Sequence, residues 1–219
     1  MKNRLIFCFY FSCFSCFSQD GFNEFMLWTK VGVNGKITKK LNWSTEVNTR
    51  FIPGIQTFFP EIGLSYKVTK WFRPSVDYRL VFDKNKYGNF LSSSRINLNA
   101  SFRQKVKRFY FGVRLRYQSS FSKKTTSKYN SDFDQAFRFR PNIEYKIKKT
   151  WFTPVISFEW FLNPAYGPDR GLTKTRLALG TKINLKGPHE ASIKYQVDNR
   201  VDFSRGRRFV FSMGYTYKL

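Results

Sequence analysis

The chain has 219 residues, with 39 Lys and Arg against 14 Asp and Glu and a single His, a formal net charge of +25. This length suits one domain, and no composition shift or Pro/Gly/Ser linker divides it. Cys8, Cys13 and Cys16 all lie within the first 18 residues, so the chain beyond them has no disulfide, thiolate metal site or redox thiol. Its Lys and Arg are spread over every segment instead of forming one tract, which argues against nucleic acid as a partner.

The chain opens MKNRLIFCFYFSCFSCFSQD: a basic start at Lys2 and Arg4, an apolar run from Leu5, then Cys16 and Ser18 as small residues before Gln19. The run, at about 13 residues, is short of the roughly 20 that a spanning helix needs. The expectation is a cleaved secretory signal over 1–18 and one mature domain over 19–219. A lipoprotein signal fits less well, because Cys13 and Cys16 lack the Leu and small-residue lead. Loss of Lys2 and Arg4, with no acid in 1–18, takes the charge from +25 to +23.

Strand-like segments follow at 25–35, 41–51, 58–68, 72–83, 94–104, 109–118, 133–147, 152–161, 174–185, 190–198 and 208–219. In LNWSTEVNTRF, Leu41, Trp43, Thr45, Val47, Thr49 and Phe51 share one face, and Asn42, Ser44, Glu46, Asn48 and Arg50 the other. Tight basic turns near Thr38–Lys40, Thr69–Lys70, Lys105–Arg108, Lys148–Thr150 and Lys186–His189 alternate with longer loops after Lys84, Ser120 and Leu162 and around Asn199–Arg207. Such a plan predicts an all-β protein: an antiparallel up-and-down transmembrane β-barrel of the outer-membrane type, with about 10 to 12 strands. Single-chain bacterial barrels have an even number of strands. Eleven segments therefore imply either that 25–35 lies in or under a ten-strand barrel, or that a strand has gone uncounted.

Periodicity alone also fits a soluble sandwich or lipocalin-like barrel. Charge separates the two. The 23 outward positions of 41–51, 72–82, 109–117 and 209–219 carry no charge, where 24% charged residues would place between five and six. A Lys or Arg against mid-bilayer costs about 2 to 4 kcal/mol, which is the pressure that would empty this face. Aromatic residues collect near both ends of the segments: Trp43, Tyr66, Phe72, Phe109, Tyr145 and Phe152 by the short turns, Phe51, Phe58, Phe82, Phe133, Trp160 and Phe209 by the long loops. These are candidate interfacial girdles. KWFRPSVDY from Lys70 and TWFTPVISF from Thr150 echo one another, with Pro74 and Pro154 near strand starts where a missing N–H is tolerated.

The inner face is rich in charge: Glu46, Arg50, Glu61, Arg73, Asp77, Arg79, Arg95, Arg103, Arg114, Arg116, Arg138, Arg140, Glu144, Glu159, Arg176 and Lys194. Glu46, Arg50, Glu61, Asp77, Arg79, Arg95, Arg114, Arg116, Arg138, Arg140, Glu144 and Glu159 are the candidate lumen network. Counting back from the turns pairs Glu61 with Arg79 and Arg140 with Glu159, each such pair contributing about 0.2 to 1 kcal/mol. The expectation is a largely occluded lumen. An anion-preferring small pore and a soluble periplasmic ligand-binding module are the alternatives.

Catalytic chemistry finds little support. The lone His189 lies in the turn KGPHE beside Ser192, and there is no Gly-rich phosphate loop, His/Asp metal cluster or G-x-S-x-G elbow. No catalytic residue, cofactor or metal is expected.

The segments LWTKV, LNWSTEVNTRF, EIGLSYKVTKWF, DYRLVF, LRYQSSF and the terminal GYTYKL together resemble the outer-membrane barrel-like family known as domain of unknown function 2490, common in Bacteroidota. The resemblance spans nearly the whole mature chain on short motifs. It implies a non-enzymatic barrel in the outer membrane of a Gram-negative bacterium, inserted by the barrel-assembly machinery and surrounded by outer-membrane lipid. It supplies no active-site residues.

Overall fold

The computed structural model describes residues 23–52, 54–85, 87–121, 134–165, 170–201 and 206–219. The expected leader lies outside these residues. Eleven strands form one closed barrel: β1 (Glu24–Lys36), β2 (Leu41–Phe51), β3 (Ile55–Tyr66), β4 (Phe72–Lys84), β5 (Phe90–Val106), β6 (Phe109–Phe121), β7 (Ala136–Tyr145), β8 (Phe152–Asn163), β9 (Gly171–Asn184), β10 (His189–Arg200) and β11 (Arg207–Lys218). Each strand pairs with its sequence neighbours in antiparallel fashion, and β1 pairs with β11 in parallel, from Glu24 beside Arg208 to Asn34 beside Lys218.

The parallel seam corrects the expected even count. In an up-and-down chain consecutive strands reverse direction, so with an odd number the first and last run the same way and closure joins them in parallel. Residues 25–35 are a full wall strand and not a segment beneath a ten-strand barrel. The two ends of the wall consequently lie on opposite rims. β1 starts at the rim of the longer loops, while Leu219 donates its N–H to Asn34 O at 2.8 Å on the rim of the short turns.

The short turns follow from local chemistry. Thr38 Oγ1 accepts from the backbone N–H of Lys40 and Leu41, and Thr69 Oγ1 accepts from Trp71 and Phe72, so the two TK turns close by the same hydroxyl device. Lys107 turns β5 into β6 with φ at 53°. Pro60 and Pro141 sit within strands, and the ladder lapses beside each: β3–β4 pairing resumes only at Glu61, and β7–β8 pairing skips from Phe139 to Asn142. Proline has no N–H to donate across that gap.

Alternation gives the wall two unlike faces. On the outward parity of the eleven strands the charged residues are Lys84 and Arg207, both at strand ends on the loop rim, with no Asp or Glu. Between the rims this face carries exposed Val31, Ile62, Leu98, Leu115, Leu179 and Met213. Near the rims, aromatic rings pack on direct cross-strand partners: Phe72 on Phe102 at 4.9 Å and Phe109 on Tyr145 at 4.9 Å by the turns, Phe58 on Phe82 at 4.6 Å and Phe25 on Phe209 at 5.2 Å by the loops. The buried residues lie inside the barrel, and most are polar or charged.

Candidate functional site in the barrel lumen

All twelve candidate network residues lie on the inward parity of β2 to β8, and the ion pairs collect around a few carboxylates. Glu159, 2% exposed, takes Arg114 and Arg138 on one oxygen at 3.0 Å each, with Arg176 at 3.9 Å on the other. Glu61 is opposite Arg79 in register and bonds to it, and Asp77 takes Arg116 at 3.1 Å with Asn99 at 2.8 Å. Glu144 holds Arg103 at 2.8 Å and Lys182 at 2.7 Å near the turn rim. Glu46 holds Lys30 at 3.1 Å. Arg50 lies over the Trp28 ring at 4.2 Å, where the aromatic face offsets part of its charge. Arg95 is buried at 1% exposure.

The expected Arg140–Glu159 ion pair is not formed. Phe139 stands opposite Trp160 and Asn142 opposite Ser157, which brackets Arg140 and Glu159 at the same level, but the ladder lapses there at Pro141 and Glu159 is taken by Arg114 and Arg138 instead. Direct rungs set like charges together at five places: Glu46 with Glu61, Arg79 with Arg95, Arg114 with Arg140, Arg116 with Arg138 and Lys174 with Arg200. Like charges directly opposite repel. Arg114, Arg116 and Arg138 relieve this by reaching to carboxylates on other strands.

Several members of the network, among them Glu24, Lys174 and Asp198, were not singled out from sequence. Asp198, fully buried, holds Arg176 through two hydrogen bonds and Lys174 at 3.5 Å. Glu24 takes Arg208 at 2.8 Å and Arg200 at 3.2 Å, joining β1, β10 and β11 at the loop rim. The alternation that turns Lys194 inward turns Asp198 inward too, so the signal is present in the sequence.

A cavity of about 220 Å³ remains in the lumen, lined by nine cationic side chains, among them Lys30, Arg114, Arg140 and Lys194, and by two carboxylates, Glu46 and Glu61. A smaller one of about 90 Å³ adjoins it and shares Arg140 and Lys194. Inward glycines help to make this space: a Cβ on Gly180 would come within 2.6 Å of Lys194 Cγ, and one on Gly214 within 2.7 Å of Ser192 Oγ. His189 is elsewhere, on the outward parity at the turn rim, with Nδ1 2.7 Å from the Tyr215 hydroxyl. Ser192 faces the lumen, so β10 separates the two residues.

Residues 25–218, the whole barrel, match the family described as protein of unknown function, DUF2490. The chain belongs to this family. A search of curated proteins found no match. What the DUF2490 barrel offers chemically is an inner wall of hydrogen-bond donors with positive charge in excess; among its described residues no group of three or more His, Cys, Asp or Glu side chains is placed to hold a metal ion.

Proposed function

We propose that this DUF2490 barrel is a non-enzymatic, integral outer-membrane protein of a Gram-negative bacterium, exported with loss of residues 1–18, with an Arg-rich, largely filled lumen and a structural or small-solute role. The observation that carries this is the outward face. Between the two rims it has no charge on any of the eleven strands, and aromatic pairs flank it at both ends. In water such a face would be an apolar patch far beyond the few hundred Å² that soluble monomers expose. In a bilayer it is the ordinary lipid face of a barrel. A soluble periplasmic ligand-binding module fits it poorly.

The rims favour one orientation. The short turns, residues 37–40, 67–71, 107–108, 146–151 and 185–188, hold ten Lys and Arg and no acid. Short turns face the periplasm in outer-membrane barrels, and a basic rim there meets anionic headgroups. Insertion would use the barrel-assembly machinery. The separation of His189 from Ser192 removes the one nucleophile and base suggested by sequence and supports a non-enzymatic reading.

The test is fractionation of cells expressing the full chain. The protein should stay with the outer membrane through carbonate extraction, begin at Gln19, and migrate faster unboiled than boiled. Release by carbonate, or an N-terminus at Met1, would overturn the reading. An anion-preferring small pore is the second reading, favoured by the cationic cavity, and would show as steady anion conductance in planar bilayers.

A further inference from the structure

We propose that the larger lumen cavity is a binding site for a small, free oxyanion of the phosphate class, held by Arg140 and Lys194 and completed by Trp28, Arg114 and Gln196. The proposal deepens the small-solute reading and rests on the filled lumen, but not on which membrane the barrel occupies.

Three independent observations converge on this cavity. The first is charge. Nine cations and two carboxylates line it, and Arg140 stands directly opposite Arg114. Arg114 has Glu159 at 3.0 Å. Arg140 and Lys194 have no carboxylate within ion-pair distance among the described residues and make no hydrogen bond there. Glu159 and Glu144 act on Arg140 only from beyond ion-pair distance, and the charges around Lys194 are cations; two half-buried charges side by side with no close acid call for a counter-anion.

The second observation is the sign of the unmet hydrogen bonding. Trp28, Arg114, Arg140 and Gln196 all line this cavity, and in their side chains Nε1, Nε, Nε and Nε2 respectively are buried without a partner. Each is an N–H donor. Buried polar groups in native proteins are nearly always satisfied, and an exception points to a water or an ion that belongs there. With nine Lys and Arg side chains against two carboxylates, the wall has N–H donors in excess, which suits an occupant that only accepts. A water would bring two donors of its own, whereas a phosphate-class oxyanion presents several acceptor oxygens and the charge to match Arg140 and Lys194.

The third is size. At about 220 Å³ the cavity falls below the roughly 300 Å³ at which pockets for larger organic ligands begin. It suits a small ion. A lipid headgroup would have to bring its acyl chains through a closed wall, so the occupant is a free solute.

The experiment is titration of inorganic phosphate into the refolded full barrel in a non-ionic detergent, at constant ionic strength set with sodium chloride, by calorimetry and by thermal unfolding. Saturable binding and a matching rise in the unfolding temperature are expected, because a ligand of the native state stabilises it by mass action. Lys194→Met and Arg140→Gln should each weaken binding by about tenfold or more, as loss of a charge-assisted contact does. Lys194→Arg should restore it, and Lys149→Gln on the turn rim should bind as the parent does. Absence of a saturable signal in the parent overturns the proposal without recourse to any variant. Equal affinity in folded Lys194→Met and Arg140→Gln, an identical effect from chloride, or displacement of phosphate by phosphatidylglycerol in mixed micelles would overturn it too. Failure of the outer-membrane reading in fractionation would leave this titration unaffected.

Discussion

Arg176 and Asp198 form a fork-to-fork pair inside the wall, Nε to Oδ1 at 2.6 Å and Nη2 to Oδ2 at 2.7 Å, on directly opposed positions of β9 and β10. Asp198 is fully buried, and Lys174 reaches the same carboxylate at 3.5 Å. One buried acid thus compensates two cations. Such a pair adds little against a well-packed apolar replacement, yet breaking it from one side leaves charge stranded in a low-dielectric interior.

Asp198→Leu should therefore destabilise the barrel by about 3 to 5 kcal/mol, since Arg176 and Lys174 lose their shared acid. Arg176→Met combined with Asp198→Leu should cost less than Asp198→Leu alone. Urea unfolding of the refolded protein, followed by tryptophan fluorescence, measures both. A double variant as damaged as the sum of its parts would show that the pair is not coupled.

The two faces of the wall should respond oppositely to charge. Val113→Arg and Phe211→Arg place a cation on the outward parity and should each cost about 2 to 4 kcal/mol near mid-bilayer, seen as loss of the fast-migrating unboiled form. Ser192→Asp puts an acid into a cavity lined by nine cations and two carboxylates, and it should fold at least as well as the parent. Equal damage on both faces would refute the assignment of inside and outside.

Much of this was legible in the sequence because strand periodicity is local. Once Val47 and Glu46 are assigned to opposite faces, every residue of β2 follows, and the same holds strand by strand. Register across a tight turn is legible for the same reason, and Glu61 does lie opposite Arg79. Two features escaped that logic. How an odd set of strands closes depends on β1 meeting β11, some 180 residues apart, and no local pattern encodes it. The partners of Glu159 were also out of reach, because opposition in register ignores how far an Arg extends: Arg114 arrives from β6, two strands away, while Arg140 at its own level beside Pro141 makes no bond to it.

The parallel seam carries a topological consequence that holds for either orientation in the membrane. Cysteines introduced at Asn23 and Tyr87 should be labelled from one side of the bilayer, and cysteines at Lys149 and Leu219 from the other. Membrane-impermeant maleimide on intact and opened cells distinguishes them. Asn23 labelling together with Lys149 would mean that β1 does not cross the wall. A Thr29→Cys and Met213→Cys pair, adjacent across the seam, should oxidise to a disulfide, as neighbouring strand positions on one face permit.

Conductance tests how full the lumen is. The side chains of Arg79, Arg116, Arg138 and Arg176 are held against wall carboxylates, and Phe59 and Phe161 project inward beneath guanidinium groups at 4.3 Å from Arg79 and Arg138. Among the described residues they leave a cavity of about 220 Å³, far smaller than the aqueous channel of wide porins. Its lining repels small cations at every level where Arg exceeds acid. In planar bilayers the protein should give no steady large conductance, and any residual leak should favour chloride over potassium. Arg140→Ala with Lys194→Ala removes two long side chains and two charges, so the leak should rise and its anion preference fall. A stable cation-selective channel in the parent protein would defeat the picture of a lumen filled by paired arginines.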